Sequence, residues 1–275
     1  MQLLQYEAIF HWTAVFFYAV ATVVLVYGIF FQKDQRLNTG IRIAIAGLLP
    51  HTAALGVRWY AAGHGPYLSR LEGFSSIAWV VIIMFAIFAF RVPKLKALGI
   101  IIFPASFIIM TVGLFSAHEI KNLPPTFHSI WLWVHIGFTK LAAGSLLIAL
   151  GSAVFFLLKK TMGEEGFFRK ISSLEVLDTY SYKFAGLGFV AWSISVASGA
   201  IWANESWGRY WGWDPIETWS LITWLLFGMY LHLRRFFRWK GEKAAVLMIV
   251  CFVFSMVTLF VIPFVVDTIH TEFFL

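Results

Sequence analysis

A tryptophan-rich segment is the part of the sequence best suited to hold a large, flat ligand. Residues 202–224 read WANESWGRYWGWDPIETWSLITW and contain six of the thirteen tryptophans of the chain. Tryptophan favours membrane–water interfaces, and an aromatic belt explains one or two indoles at a helix end. The density here is higher, so we predict a surface on which a planar macrocycle stacks. Its tryptophans are Trp202, Trp207, Trp211, Trp213, Trp219 and Trp224.

Glycines and acids are interspersed among these tryptophans. Gly208 and Gly212 permit close approach or unusual backbone angles. Asp214 directly precedes Pro215, an arrangement typical of the start of a helix, so Asp214 is a candidate N-cap. Its carboxylate, like that of Glu217, can also accept hydrogen bonds from indole N–H groups. We therefore expect these acids to shape the segment in addition to any contact with a ligand.

Histidine is the second residue type that points to chemistry. The chain has eight histidines, and imidazole is a standard axial ligand of haem iron. His51 and His232 fall inside apolar stretches, where an ionisable residue is a functional hypothesis by default. The alternative for each is a hydrogen bond to a neighbouring helix. We interpret His11 as a histidine of this second kind.

The elements that position these residues are predicted to span a membrane. Of the 275 residues 60% are apolar and 13% are charged, with a mean hydropathy of +0.79, whereas soluble domains are about 25% charged. A spanning helix needs roughly 20 apolar residues. We predict an all-α, polytopic membrane helical bundle that forms a single integral-membrane domain over residues 1–275. Its eight predicted transmembrane helices cover about 7–32, 40–62, 73–91, 97–117, 130–159, 183–204, 216–235 and 244–268.

The distribution of lysine and arginine predicts the orientation. Sixteen of these 21 residues fall around 33–42, 91–96, 159–183 and 234–243, whereas the other connections hold only three. By the positive-inside rule the first set is cytoplasmic. Both termini and the 202–224 segment then lie on the outer face. The net charge of +7 follows from the same loops, so we predict no nucleic-acid partner.

The single cysteine limits the redox chemistry of the chain. Cys251 lies in the apolar run MIVCFVFSMV, which excludes an internal disulfide and a CxxC pair. Any thiol chemistry in the process must therefore come from a partner.

Three stretches of the sequence resemble one family. The run WANESWGRYWGWDPIETWSLITWLLFGMYLHLRR closely resembles the WWD signature of the CcsA/ResC family, the haem-handling component of system II cytochrome c biogenesis. HTAALGVRWYAAGHGPYLSRLEGF at 51–74 resembles the second-helix region of that family, and WLWVHIGF at 131–138 is a third match. System I haem-handling families, such as CcmC and CcmF, also have a WWD segment, but WDPIETWSLITW followed by YLH is more similar to CcsA.

The resemblance implies roles for particular residues. Family members use two outer-face histidines that flank the WWD segment, which match His135 in WLWVHIGF and His270 in VVDTIHTE. They also use two transmembrane histidines, which match His51 and His232. Arg58, a cation inside the second predicted helix, is a candidate contact for a haem propionate.

The resemblance also implies a function. The chain is expected to bind haem b, to present it on the outer face of a bacterial inner membrane or thylakoid membrane, and to support its ligation to the CxxCH motifs of apocytochrome c. It would act as a component of a cytochrome c synthase (haem lyase) complex, without a catalytic side chain of its own. A CcsB/ResB-type membrane protein and thiol-reducing proteins are the expected partners.

Two other functions fit parts of the pattern. A membrane dihaem electron-transfer subunit also uses pairs of membrane histidines, but the tryptophan-rich outer loop argues against it. A solute transporter with an aromatic substrate site predicts internal repeats or broken helices at the membrane midplane, and neither is clear in the sequence.

Overall fold

Helices form nearly all of the described chain. The computed structural model describes residues 2–116, 119–120 and 122–266, and no strand occurs in these ranges. Short helical turns lie at Pro93–Leu98, Pro125–Phe127 and Gly166–Lys170, and a π-helical turn at Val257–Val261 leads into a last short helix, Ile262–Val265. The long helices are α1 (Gln2–Phe30), α2 (Asp34–Ala62), α3 (Arg70–Arg91), α4 (Gly99–Leu114), α5 (Ile130–Met162), α6 (Leu174–Trp207), α7 (Pro215–Arg235) and α8 (Glu242–Met256).

Seven helical segments in the described part of the chain are long and apolar enough to cross a membrane. They correspond to seven of the eight predicted spans and confirm the all-α, polytopic helical bundle. The remaining predicted span, 216–235, forms α7. It is not among the seven, and Trp, Thr, Ser and Tyr residues are interspersed among its aliphatic ones. The predicted position of both termini on the outer face stays a prediction.

The helices group into two compact units by their contacts. The first contains the described parts of Met1–Lys121 and Leu157–Leu177, and the second contains those of Asn122–Phe156 and Asp178–Leu275. Helices α1 to α4 belong to the first unit, while α7 and α8 belong to the second. The boundary crosses α5 and α6. The single integral-membrane domain over residues 1–275 stays a prediction.

Close helix packing and a strong cap organise the first unit. A Cβ atom added at Gly47 would lie 2.7 Å from the Cβ of Phe17, so a small residue is needed where α2 crosses α1. The start of α3 is fixed by a capping box, in which Ser69 accepts a hydrogen bond from the backbone N–H of Glu72 and the Glu72 carboxylate accepts one from Ser69.

Aromatic and polar contacts join α6 to α7 in the second unit. The Trp224 indole donates to the Ser193 hydroxyl at 2.7 Å, and its ring stacks on Phe189 with centroids 5.4 Å apart. Near the other end of α7, the Arg234 guanidinium forms two hydrogen bonds to the Asp178 carboxylate, at 2.6 and 2.8 Å. These contacts hold the two helices side by side and fix which of their residues face each other.

Candidate functional site

The tryptophans of the 202–224 segment form two edge-to-face pairs. Trp202 is buried on α6 and donates its indole N–H to the Thr126 carbonyl at 2.8 Å. Its ring meets that of Trp207 with centroids 5.0 Å apart and an angle of 66°. Trp211 and Trp213 form the second pair, at 5.9 Å and 88°. Trp202 therefore anchors the segment, while Trp213, which is 71% exposed, presents its ring outward.

Two acids of the segment, Asp214 and Glu217, stabilise the turn that precedes α7. The prediction that Asp214 is an N-cap is confirmed. One oxygen of Glu217 accepts hydrogen bonds from the backbone N–H groups of Gly212 at 2.7 Å and Asp214 at 3.2 Å. Asp214 in turn accepts from Ile216, so the two residues form a capping box at the start of α7. Trp213, held between these bonds, has a φ of +57°. A bulky residue in this left-handed conformation is strained, and the turn thereby fixes the direction of an exposed indole.

Trp219 lies one turn into α7 and packs away from these pairs. Its ring lies 5.9 Å from that of Phe254 on α8, at an angle of 31°. Its carbonyl accepts a hydrogen bond from Thr258 at 3.2 Å. Thr258 lies in the π-helical turn Val257–Val261, a type of distortion that is frequent at functional sites.

His135, on α5, packs against α6 beside the first tryptophan of the segment. Its Nδ1–H donates to the Ser195 carbonyl at 2.8 Å, and its ring lies nearly parallel to that of Trp202, with centroids 6.4 Å apart and an angle of 22°. Because a carbonyl only accepts, Nδ1 holds the proton of the neutral ring and Nε2 holds the lone pair. In metal sites, a hydrogen bond from the ring nitrogen that does not bind the metal orients the ligating histidine.

Gly199 and Ser195 contact the His135 ring, and the sequence reasoning missed both. A Cβ atom added at Gly199 would lie 2.6 Å from Nδ1 of His135, which is too close for any side chain. The Ser195 hydroxyl also bonds Thr139, one turn after His135 on α5, at 2.6 Å. The available signal was the spacing of four residues, which places Ser195 and Gly199 on one face of α6.

His232 opens onto a groove between α6 and α7. The groove has a volume of about 630 Å³. The imidazole contacts the rings of Phe236 and Phe237, with centroids 4.7 and 5.8 Å away. Within the part of the chain that the structure describes, its ring nitrogens have no hydrogen bond. The other residues of the lining are Tyr182, Lys183, Gly186, Phe189, Val190, Gly228, Leu231 and Arg235.

His51 lies in a different environment, at the centre of a chain of buried hydrogen bonds in the first unit. It is fully buried. Tyr18 bonds its Nδ1 at 2.9 Å, and Ser75 bonds its Nε2 at 3.0 Å. Ser75 also bonds Nε2 of His11 at 2.8 Å, while Nδ1 of His11 reaches the Glu7 carbonyl at 3.1 Å. The prediction that His11 is an interhelical hydrogen bonder is thus confirmed.

When both imidazoles are neutral, the Glu7 backbone carbonyl fixes the direction of each of these hydrogen bonds. The Glu7 carbonyl only accepts, so the neutral His11 ring donates from Nδ1 and accepts at Nε2 from the Ser75 hydroxyl. Ser75 then accepts from Nε2–H of His51, and Nδ1 of His51 accepts from the Tyr18 hydroxyl. Neither nitrogen of the His51 ring therefore offers an unshared lone pair in this arrangement.

Arg58 lies beside these hydrogen-bonded residues and forms ion pairs with acids of two other helices. Its Nε donates to the Glu72 carboxylate at 2.8 Å, Nη2 donates to the Glu119 carbonyl at 2.8 Å, and Nη1 lies 3.6 Å from the Glu7 carboxylate. Arg58 is only 1% exposed. The lone acid Glu7 in an apolar helix was the signal that could have revealed this cluster.

The predicted site residues thus fall into two groups. His51 and Arg58 belong to the first compact unit, and His232 belongs to the second. His135 and the tryptophans of the 202–224 segment lie in the second unit as well. His270 lies outside the described residues.

Known proteins similar to this chain share one function in their names. A family model described as Cytochrome C assembly protein matches residues 67–270. The chain is 37% identical over 204 residues to the cytochrome c biogenesis protein CcsA of Chlamydomonas reinhardtii, an alignment that covers 71% of this chain and 57% of that protein. It is 32% identical to CcsA of Guillardia theta over 250 residues, which cover 82% of this chain and 83% of that protein.

A solved structure also shares the fold. The chain superposes on Cytochrome c Heme Lyase CcmF with a TM-score of 0.62 and 15% sequence identity. The match covers 92% of this chain and 45% of the other. At this level of identity the similarity shows a common helical architecture.

Proposed function

Since this chain belongs to the CcsA family of cytochrome c assembly proteins, we propose that it binds haem b and presents it for covalent attachment to apocytochrome c. The relatives and the solved neighbour are named for cytochrome c biogenesis and for a haem lyase. Haem is then a substrate that passes through the protein, and the side chains of the chain hold and orient it.

The observation that carries this proposal is the arrangement of His135 against the tryptophan segment. Its Nδ1 proton is fixed by the Ser195 carbonyl, so the lone pair of the opposite nitrogen, Nε2, is the one that iron can use. The parallel Trp202 ring beside it and the paired indoles of Trp211 and Trp213 are aromatic surfaces of the kind on which a porphyrin packs.

Four histidines are proposed as iron ligands, and the structure supports them unequally. His232 opens onto a groove whose volume suits a ligand of this size. His51 can bind iron only after it gives up its bond to Tyr18 or Ser75. A propionate at Arg58 would have to enter a buried cluster that already contains the Glu7 and Glu72 carboxylates. For His270, the proposal rests on the family resemblance alone.

The attachment step is an addition that needs no oxidant. Each cysteine of an apocytochrome CxxCH motif adds its S–H across one vinyl C=C bond, so that sulfur bonds one carbon and the proton goes to the other. The histidine of that motif replaces one of the protein ligands on iron. The chain supplies orientation, which can account for a large part of such a barrier.

The same account implies partners and a location. The cysteines must be reduced before they react, and the buried Cys251 cannot do this, being the only cysteine of the chain. Thiol-reducing proteins and a CcsB/ResB-type membrane protein are therefore the proposed partners. The location is a bacterial inner membrane or a thylakoid membrane, with the 202–224 segment on the outer side. A phosphatase fused after Ser206 should be active, and one fused near Glu165 should be inactive.

A single added methyl group tests the proposal. Gly199→Ala places a Cβ atom against His135 and should displace the imidazole without removing any chemical group. We expect cytochrome c yield in cells to fall to a level close to that of His135→Ala, while the protein still accumulates in the membrane. Gly137→Ala is the matched control, because a Cβ atom there meets nothing within 4 Å. Full cytochrome yield from Gly199→Ala and His135→Ala would contradict the proposed role of this site.

A further inference from the structure

The groove beside His232 has a polar end and an apolar end. On α7, Arg235 follows His232 by three residues, and on α6, Lys183 precedes Gly186 by the same spacing. Each cation therefore lies about one helical turn from the middle of the groove.

The two helices that form the groove are antiparallel, because Asp178 pairs with Arg234 whereas Phe189 lies beside Gly228. Lys183 and Arg235 thus share one end, and Phe189, Val190 and Gly228 form the other.

The positive charge at the polar end is not neutralised by the groove itself. No carboxylate is among the residues that line it. The nearest acid in sequence, Asp178, is already bound by Arg234 and by the backbone N–H of Gly241. Within the described ranges, Arg235 has no ion-pair partner, and the Lys183 ammonium lies over the Tyr180 ring at 5.3 Å. Two exposed cations therefore face an open volume.

We propose that Lys183 and Arg235 bind the two propionates of a haem whose iron is at His232. This inference rests on the proposed haem binding. Both propionates leave the macrocycle from one edge. The two cations at one end of the groove can therefore bind the two carboxylates while the imidazole, one turn away, binds the iron. Arginine is well suited to a carboxylate, with which it can form two parallel hydrogen bonds.

The assignment fixes the orientation of the ring. With the propionates at Lys183 and Arg235, the opposite edge of the macrocycle points toward Phe189 and Val190. Gly186 leaves room for the ring face, because a Cβ atom at that position meets nothing within 4 Å. The edge that has no carboxylates then lies against apolar side chains, and the charged edge lies at the end of the groove predicted to be cytoplasmic.

Cations near a membrane surface also attract the phosphates of lipid headgroups. The two anions share their chemistry, and the imidazole one turn away favours haem as the occupant. A comparison of haemin with its dimethyl ester separates them, because the ester keeps iron and macrocycle but removes both negative charges.

The test is a titration of purified full-length protein in nanodiscs of zwitterionic lipid, followed by haem absorption. We expect the unmodified protein to bind haemin about tenfold more tightly than the ester, the effect of two exposed ion pairs. The double variant Lys183→Gln/Arg235→Gln should bind both ligands equally. Lys240→Gln/Lys243→Gln removes the same charge from the adjacent turn, outside the groove, and should keep the preference for haemin.

Each other outcome has a definite meaning. If the Lys183→Gln/Arg235→Gln variant keeps the preference, the assignment is wrong although haem binding stands. If anionic lipid in the nanodisc abolishes the preference of the unmodified protein, the cations serve lipid phosphates and the assignment is again wrong. If the unmodified protein binds neither ligand, or His232→Ala binds haemin with an unchanged spectrum, the proposed function fails at this groove instead.

Discussion

His51 and His232 are the same residue type in similar sequence settings, yet their surroundings differ in every respect that matters for iron. His51 is fully buried, and both of its ring nitrogens are within hydrogen-bonding distance of side chains from other helices. His232 is exposed and lies at the edge of a groove. An apolar flanking sequence identifies a membrane histidine, but only the neighbouring helices determine whether its lone pair is available to a metal.

The cost of ligand binding also differs between the two sites. Iron at His51 requires the loss of a buried hydrogen bond, and a buried polar group left without its partner costs about 1–3 kcal/mol. It also requires space inside a packed core, where cavities larger than a water molecule are rare. Neither cost applies at His232. We therefore expect replacements of the two histidines to affect different properties.

The largest expected difference is in haem content. His232→Ala should remove the haem of the groove, and added imidazole should restore part of it by filling the space of the lost ring. His51→Ala should lose only part of its haem, because His51 binds iron only after giving up a buried hydrogen bond, and its unfolding midpoint should fall. Haem absorption per mole of purified protein, with and without imidazole, measures both effects. Equal loss of haem from both variants would show that His51 holds iron as firmly as His232 does.

A large side chain at Gly186 sharpens the comparison without touching either histidine. Gly186→Leu places four carbon atoms in the space that we assign to the ring face, so haemin should bind about tenfold more weakly, the effect of a contact worth roughly 1.4 kcal/mol. Gly56→Leu on α2 is the control, because a Cβ atom at this exposed helix position also meets nothing within 4 Å. Unchanged haemin affinity of the Gly186→Leu protein would place the ligand elsewhere.

The elements of the fold were predictable because their signal is local. A run of apolar residues is enough to predict a membrane helix, and Asp214 before Pro215 is enough to predict the start of α7. The three-residue spacing of His232 and Arg235 was also visible. What no single run contains is the pairing of helices, on which the groove between α6 and α7 depends.

The environment of His51 also depends on contacts between helices that a local run of sequence does not reveal. Glu7 and His11 are four residues apart on one helix, and Tyr18 follows His11 by two turns, so the sequence places all three near one face of α1. Their partners, Ser75 and Arg58, come from other helices. His51, which the family resemblance implies as an iron ligand, is held in the structure by hydrogen bonds to residues more than twenty positions away in sequence.

Ser75 is the link whose loss should destabilise the first unit most. Its hydroxyl connects the two histidine rings, so Ser75→Ala breaks two buried hydrogen bonds and should lower the free energy of unfolding by about 2 kcal/mol. Ser106→Ala is the matched control, because this buried hydroxyl donates to the Ile102 carbonyl of its own helix. Denaturant unfolding in detergent, followed by tryptophan fluorescence, measures the difference. If the two variants are equally stable, the chain of hydrogen bonds through Ser75 contributes nothing.

Tyr18→Phe should give the smallest effect, because it removes only the last hydrogen bond of the series, the one between Tyr18 and His51. The hydroxyl donates to Nδ1 of His51, and its removal leaves the ring packing in place, so the free energy of unfolding should fall by about 1 kcal/mol, roughly half the effect of Ser75→Ala. Because Tyr18 contacts neither His232 nor the groove, the haemin affinity should not change. Tyr27→Phe is the control, since its hydroxyl accepts a long bond, 3.3 Å, from the exposed Lys33. A spectral change of bound haem in Tyr18→Phe, absent from Tyr27→Phe, would mean that the hydroxyl tunes iron bound at His51.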